Sequence, residues 1–296
     1  RHVALRPLLA GSAHHAITTR TPHAQSCGRR DGQICETPRL RRSLPWESRR
    51  GRGARQSSTR HGVCPAEEAL PGIWYNRTKA SMAKHASETN ITDNITDLQE
   101  ADIYLICVSD DQIEKLGANL GKRKGIVAHT AGSVSLEALK AHENHGVFYP
   151  LQTLSKQKEV DFHTIPLCLE ANNLYSLKLL QQLAAHIGGP IHTIDSVQRK
   201  ALHIAAVFVN NFSNHLYAIG EALCQEHHVP FSILQPLIAE TADKIKNLSP
   251  LEAQTGPALR KDNITIENHL LLLTQEAHKK IYSLLTASIQ QQQQHE

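Results

Sequence analysis

Arg199 and His203 stand four residues apart in the run Gln198-Arg199-Lys200-Ala201-Leu202-His203, and Asn210, Asn214 and Glu221 follow at helical spacing. At ~100° per residue these five fall within a sector of roughly 60° on one helix over 197–224. Asn211 and His215 form a neighbouring polar line. The rest of that helix is mostly apolar, and polar groups on a buried helix must be hydrogen-bonded or face a wet cleft. His203 can serve as general acid or base near neutral pH. Arg199, His203, Asn210 and Asn214 are therefore the candidate catalytic set. A dimer interface or an internal polar network accounts for the same line without catalysis.

A second group lies where apolar runs end. Asn76-Arg77-Thr78 follows Ile73-Trp74-Tyr75, and Arg77 offers a fork of donors suited to a phosphate, with the Thr78 hydroxyl beside it. A solvated turn is the plainer reading. Ser109 and Asp110 follow one apolar run and His129-Thr130-Ala131-Gly132-Ser133 follows the next. The small residues of the second loop suit close backbone approach to a ligand. Ser109, Asp110 and Asp111 can equally cap a helix, and His129 can be a satisfied core histidine. Gln254-Thr255-Gly256-Pro257 and Arg260 form a turn that either closes over a crevice or caps a helix. No metal set is expected: His227-His228, His142, His145 and His163 lack partners at ligand spacing.

The elements that must hold these groups alternate. Strands are expected over 73–75, 102–108, 125–129 and 146–149, with helices over 79–86, 111–120 and 135–142 between them. The run 102–108 is almost wholly apolar, as in a parallel sheet covered on both faces. Outer strands are expected over 165–169 and 191–194, flanking a helix over 174–187, and the chain reads as helical from about 195 onward. The pattern predicts an α/β parallel sheet followed by an all-α C-terminal part. Ligands in such open sheets bind beyond the carboxyl ends of the strands, so the groups after 108 and 129 should share one crevice.

Composition divides the chain. Residues 1–71 hold 13 Arg, no Lys and 5 acids, a net +8, whereas residues 72–296 hold 19 basic and 23 acidic residues, a net −4. The acidic body gives no reason to expect nucleic-acid binding. The head lacks periodicity and carries Gly, Pro, Ser and Arg runs, so it reads as a disordered Arg-rich segment. Taken at face value it could be an arm for nucleic acid, but it has no interleaved aromatics. Six cysteines without close pairs argue against a disulfide framework, and a cytoplasmic setting is expected. No apolar run reaches the roughly 18 residues of a membrane span.

Six motifs in order carry a resemblance: Ser109-Asp110-Asp111; His129-Thr130-Ala131-Gly132-Ser133; Tyr149-Pro150-Leu151-Gln152-Thr153; Gln198 to His203; Asn210-Asn211-Phe212-Ser213-Asn214-His215; and Ala253-Gln254-Thr255-Gly256-Pro257-Ala258. Over about 72–290 the chain resembles a bacterial family that joins a Rossmann-like NAD(P)-binding domain to a C-terminal helical domain of unknown function. That family is similar to 6-phosphogluconate-dehydrogenase-like and deazaflavin-dependent NADP oxidoreductases. The resemblance implies three parts: a non-family segment over 1–71, a truncated Rossmann-like domain over 72–148 and the C-terminal domain over 149–294. It implies a nicotinamide-linked redox step on a small polar substrate, with NADP favoured because Arg77 stands where an acid would accept a free ribose hydroxyl. Asn76, Arg77 and Thr78 would hold the 2′-phosphate, and Ser109, Asp110, His129 and Thr130 would line the nicotinamide end. His203, Asn210 and Asn214 would face the substrate. Related dehydrogenases present Lys and Asn at the corresponding helix; Arg199 and His203 match the spacing but not the types, so that mechanism does not carry over. A non-catalytic nucleotide-binding or sensing protein is the alternative, and a homodimer through the C-terminal helices is plausible on the same ground.

The expected first strand and Gly-x-Gly-x-x-Gly turn, roughly 20–30 residues before Ile73, are missing. Residues before about Leu70 read as translated in the wrong frame or from unrelated sequence. CGN arginine codons over Arg49 to Ala54, shifted by one base, permit Val-Val-Gly-Ala-Gly. Without that strand and turn, cofactor binding is expected to be weak or absent.

Overall fold

The computed structural model describes residues 15–19, 72–76, 90–153 and 160–292. The expected helix over 79–86, together with Arg77 and Thr78, lies outside them. Two compact units divide between His203 and Ile204.

The first unit is built around one apolar strand. β1 (His15–Thr19), β2 (Gly72–Tyr75) and β3 (Asn90–Thr92) precede β4 (Ile103–Cys107), in which all five residues are buried. Successive side chains of a strand point to opposite faces. Ile103, Leu105 and Cys107 accordingly pack with Leu180, Leu183 and Ala184 of α2 (Leu174–Ile187). Tyr104 and Ile106 pack with Ile113, Leu116 and Leu120 of α1 (Ile113–Leu120) on the other face. α2 begins where Asn173 accepts from the Ser176 amide and ends at Gly188, whose φ of 88° suits a left-handed helix stop.

β5 (Ile126–His129), β6 (His145–Pro150), β7 (Leu167–Ala171) and β8 (Ile191–Thr193) complete the sheet. The strand order is β3-β2-β1-β4-β5-β6-β7-β8. β4, β5 and β6 run parallel, β7 is antiparallel to β6, and β8 is parallel to β7. The first six strands reproduce the 3-2-1-4-5-6 order of the doubly wound nucleotide-binding sheet. The sheet therefore continues well past residue 148, because β7 pairs with β6 over five residues and places Leu167 and Leu169 in the core.

The central slot is filled by β1, which pairs with both β2 and β4. A gap there would leave two rows of backbone donors and acceptors unmatched, so a β-branched stretch such as Ile17-Thr18-Thr19 has much to gain by filling it. Its direction is reversed. β1 is antiparallel to both neighbours, with His15 opposite Cys107 and Thr19 opposite Ile103.

The region expected to be helical over 135–142 forms only a short 3₁₀ turn, Leu136–Leu139, started by the Ser135 side chain accepting from the Glu137 amide. α3 (Ser196–Ala206) spans the division between the units. The second unit contains a π-helical segment, Val207–Phe212, then α4 (Ser213–Glu226), α5 (Gln235–Lys244), α6 (Asn263–Leu272) and α7 (Glu276–Gln292).

Candidate active site

The chemistry-bearing groups of the first unit gather at the carboxyl ends of the parallel strands. Ser109 and Asp110 follow β4, and Thr130 to Ser135 follow β5. Tyr149 is the penultimate residue of β6. Asp110 and Ser133, from the two loops, are hydrogen-bonded through their side chains and exposed. Thr130 joins the edge by its amide, 3.3 Å from the Ile106 carbonyl, and its side chain bonds the Cys107 thiol, which burial pushes up to about 12.

α3 reaches this edge from a capping box. The Gln198 amide donates to Asp195 Oδ1 at 2.8 Å, and the Asp195 amide donates to Gln198 Oε1 at 3.0 Å. That start fixes the rotation of Arg199 and His203, one turn apart.

Arg199 is fully buried, and its donors are taken by the protein. Nη1 donates to the carbonyls of Ala131, Gly132 and Val134 at 3.2, 2.8 and 2.6 Å. Nε and Nη2 donate to Glu170 Oε2 at 3.1 and 2.9 Å, and Nη2 also reaches Ser196 Oγ. The guanidinium thus clamps the loop after β5, with the Glu170 carboxylate from β7 balancing its charge.

His129 grips the same loop from inside the sheet. It is fully buried, its Nδ1 accepts from the Ala131 amide at 3.2 Å, and its Nε2 lies 3.3 Å from the Ser135 carbonyl. That pairing makes Nε2 the protonated nitrogen of a neutral ring. Burial, with Arg199 nearby, lowers its pKa to about 4. His129 is the satisfied core histidine among the two readings of its sequence position, with both nitrogens engaged by backbone.

Tyr149 and His203 meet across the edge. The Tyr149 hydroxyl lies 3.3 Å from His203 Nδ1, the rings stand edge-on, and both residues are partly exposed. Gly132 explains how the loop fits against them: a Cβ there would come within 2.7 Å of Nδ1 and 2.8 Å of the tyrosine ring. Tyr149 was quoted in a motif but carried no role in the sequence, since its partner is 54 residues away. Glu170 was missed for a similar reason.

The other expected site residues divide. Asn76 is buried after β2, its amide donating to the Thr92 carbonyl. Asn210 and Asn214 belong to the second unit and are exposed. The π-helical segment, with its wider i→i+5 turns, interrupts the α-helical phase between His203 and Asn214, so a line drawn at constant pitch does not carry across it. The helix is not buried either: Phe208, Val209 and Phe212 are exposed. Among the described residues no cluster of His, Cys, Asp and Glu could hold a metal ion.

A candidate NADP oxidoreductase from Bacteroides fragilis is 39% identical, matching 73% of this chain and 87% of its own length with a TM-score of 0.68. The chain belongs to that protein's family. Residues 165–289 match the model of a domain of unknown function, DUF2520. A Thermotoga maritima protein shares the fold at 18% identity, over 74% of this chain and 90% of its own, with a TM-score of 0.57. No curated protein sequence matches the chain.

The edge fits one half of a nicotinamide dinucleotide better than the other. Ser109, Asp110 and Thr130 lie at the carboxyl ends of β4 and β5, where the nicotinamide end would rest. The pyrophosphate needs a turn leaving the carboxyl end of a parallel central strand and running into a helix. β1 runs the other way, so its own carboxyl end, Thr19, lies at the opposite edge.

Proposed function

We propose that this chain is an NADP-linked oxidoreductase-like protein that acts on a small molecule, with its cofactor site impaired. The observation that carries the reading is the 39% identical relative named for NADP oxidoreduction, taken with the matching edge of polar groups beyond β4, β5 and β6. In this reading Ser109, Asp110 and Thr130 line the nicotinamide end, and Asn76, Arg77 and Thr78 serve the 2′-phosphate. His203 faces the substrate. Arg199 and His129 are positioning residues, because every side-chain nitrogen they carry is engaged by the protein: both His129 nitrogens and Arg199 Nη1 by the loop after β5, and Arg199 Nε and Nη2 by Glu170 and Ser196.

When bound, the reduced nicotinamide supplies hydride. The chain's own contribution is a shaped edge, an exposed carboxylate at Asp110 and an ionisable imidazole at His203. The reversed β1 supports the impairment, since it offers no cradle for the phosphates at the crevice. The free thiols Cys107 and Cys168 suit a cytoplasmic setting, and among the described residues no helix is long and apolar enough to cross a membrane. Exposed Phe208, Val209, Ile233, Leu237, Leu271 and Leu284 support a homodimer through the C-terminal helices.

The test is NADPH oxidation at millimolar cofactor with a panel of aldehydes, ketones and cyclic imines. Turnover with at least one class is expected. Binding without turnover across the panel would instead favour a nucleotide sensor.

A further inference from the structure

We infer that the helical stretch from Ile204 to Gly220 is a self-association surface, which packs against the same stretch of a second copy of this chain about a two-fold axis. This rests on the homodimer proposed above. It names the helix at that dimer's centre and takes Asn210 and Asn214 into the contact.

Three observations carry it. First, the stretch holds no Asp, Glu, Lys or Arg, in a chain that is 20% charged. A helix this free of charge and rich in Ile, Val, Phe and Leu has the composition of a core helix. Second, nothing in its own chain covers it. The π-helical segment Val207–Phe212 and α4 bury none of their residues, and both apolar cores are built from residues of the first unit. Third, the stretch displays an aromatic pair. The rings of Phe208 and Phe212 stand edge to face with centroids 5.1 Å apart, and both residues are exposed. A packed, rigid aromatic pair open to solvent is the kind of anchor that dominates interfaces.

The area is also of the right size. Ile204, Phe208, Val209, Phe212, Leu216 and Tyr217 are 40 to 75% exposed. At roughly 175 Å² per large side chain they offer about 550 Å² of apolar surface. A stable interface takes roughly 800 Å² from each partner, about two thirds of it apolar in homodimers. Asn210, Asn211, Asn214 and His215, all exposed on the same stretch, supply the polar remainder.

The chemistry of this surface selects the occupant. A charge brought against it would lose its hydration with nothing opposite to pair with. Residues 1–71, with a net +8, are therefore a poor cover. Helices that lie on lipid carry Lys and Arg along their polar face, and this stretch has neither. A second copy brings the same uncharged surface, of equal area, and a two-fold axis sets like against like. Each Asn amide both donates and accepts, so Asn210 and Asn214 can pair with asparagines of the other copy across the axis. Polar residues within an apolar seam fix its register.

Sedimentation velocity of the full chain gives the oligomeric state, and two further measurements locate the contact. Single cysteines replace Ile204, Phe208, Val209, Phe212 or Leu216, each together with C224S, and the protein is oxidised mildly. A disulfide joining one position to itself is necessarily between copies, and it needs the two Cα atoms within roughly 7 Å. At least one of the five should give that link, identified by mass spectrometry, whereas K246C should not. The double substitution N210D/N214D keeps side-chain size and adds two negative charges per copy to the seam. The dissociation constant of the dimer should rise at least about 100-fold, as like charges brought together at an interface require, with helical circular dichroism unchanged. A dimer that keeps its affinity with N210D/N214D, or that links at none of the five positions, overturns the inference and leaves the homodimer standing. A wild type that stays monomeric overturns both.

Discussion

A single side chain can be read two ways from sequence and one way from its neighbours. His129 follows a buried strand at the ligand-binding edge, which fits both a cofactor contact and a core histidine. Its two backbone partners decide for the core role. A ring held neutral by burial has a consequence for stability. The unfolded imidazole titrates near 6.5 and the folded one near 4, so between those values the unfolded state binds more protons. The stabilisation is complete above about pH 6.5, declines as pH falls towards 4, and is then spent, a change of up to a few kcal/mol. Urea unfolding between pH 4 and 7 should show this loss, and H129Q should flatten it. His142, also lowered by burial, would leave a smaller residual slope. An H129Q profile that tracks the wild type would contradict the assignment. The same limit applies to Arg199: its type and place were legible, but its partners lie 29 and 65 to 68 residues away in the chain. Only folding shows that its donors are committed.

Elements were legible wherever burial imposed a period. β4 and β5 announced themselves as apolar runs, and α2 runs over the very residues 174–187 that its pattern gave, because Asn173 and Gly188 mark both ends. The 135–142 stretch misled, since a short amphipathic pattern satisfies a 3₁₀ turn as well as a helix. The π-helical segment Val207–Phe212 was invisible, because a change of pitch leaves no mark in residue types. The C-terminal helices show exposed apolar faces. Such faces, with Phe208 63% and Leu271 81% exposed, exceed what a lone soluble domain usually tolerates. Sedimentation velocity at micromolar concentration should find a dimer, and the pair of substitutions F208E and L271E should return it to monomer with its helical circular dichroism intact. A monomeric wild type would rule out the dimer.

For the whole molecule, the decisive feature is the sheet's centre. The order of strands is that of a nucleotide-binding sheet, and the family relationship agrees with it. The sequence signalled a break before Gly72 through charge and composition, but could not say what would fill the empty slot. The slot is filled by His15–Thr19 antiparallel to both neighbours, which satisfies their hydrogen bonds. Hydrogen bonding is indifferent to strand direction; nucleotide binding is not. The direct measurement is an NADPH titration of this chain beside a version whose first 71 residues are replaced by a parallel strand, a Gly-x-Gly-x-x-Gly turn and its helix. The restored version should bind at least about 100-fold more tightly, the order of two charge-assisted hydrogen bonds to the pyrophosphate. Equal affinity in the two proteins would contradict the account.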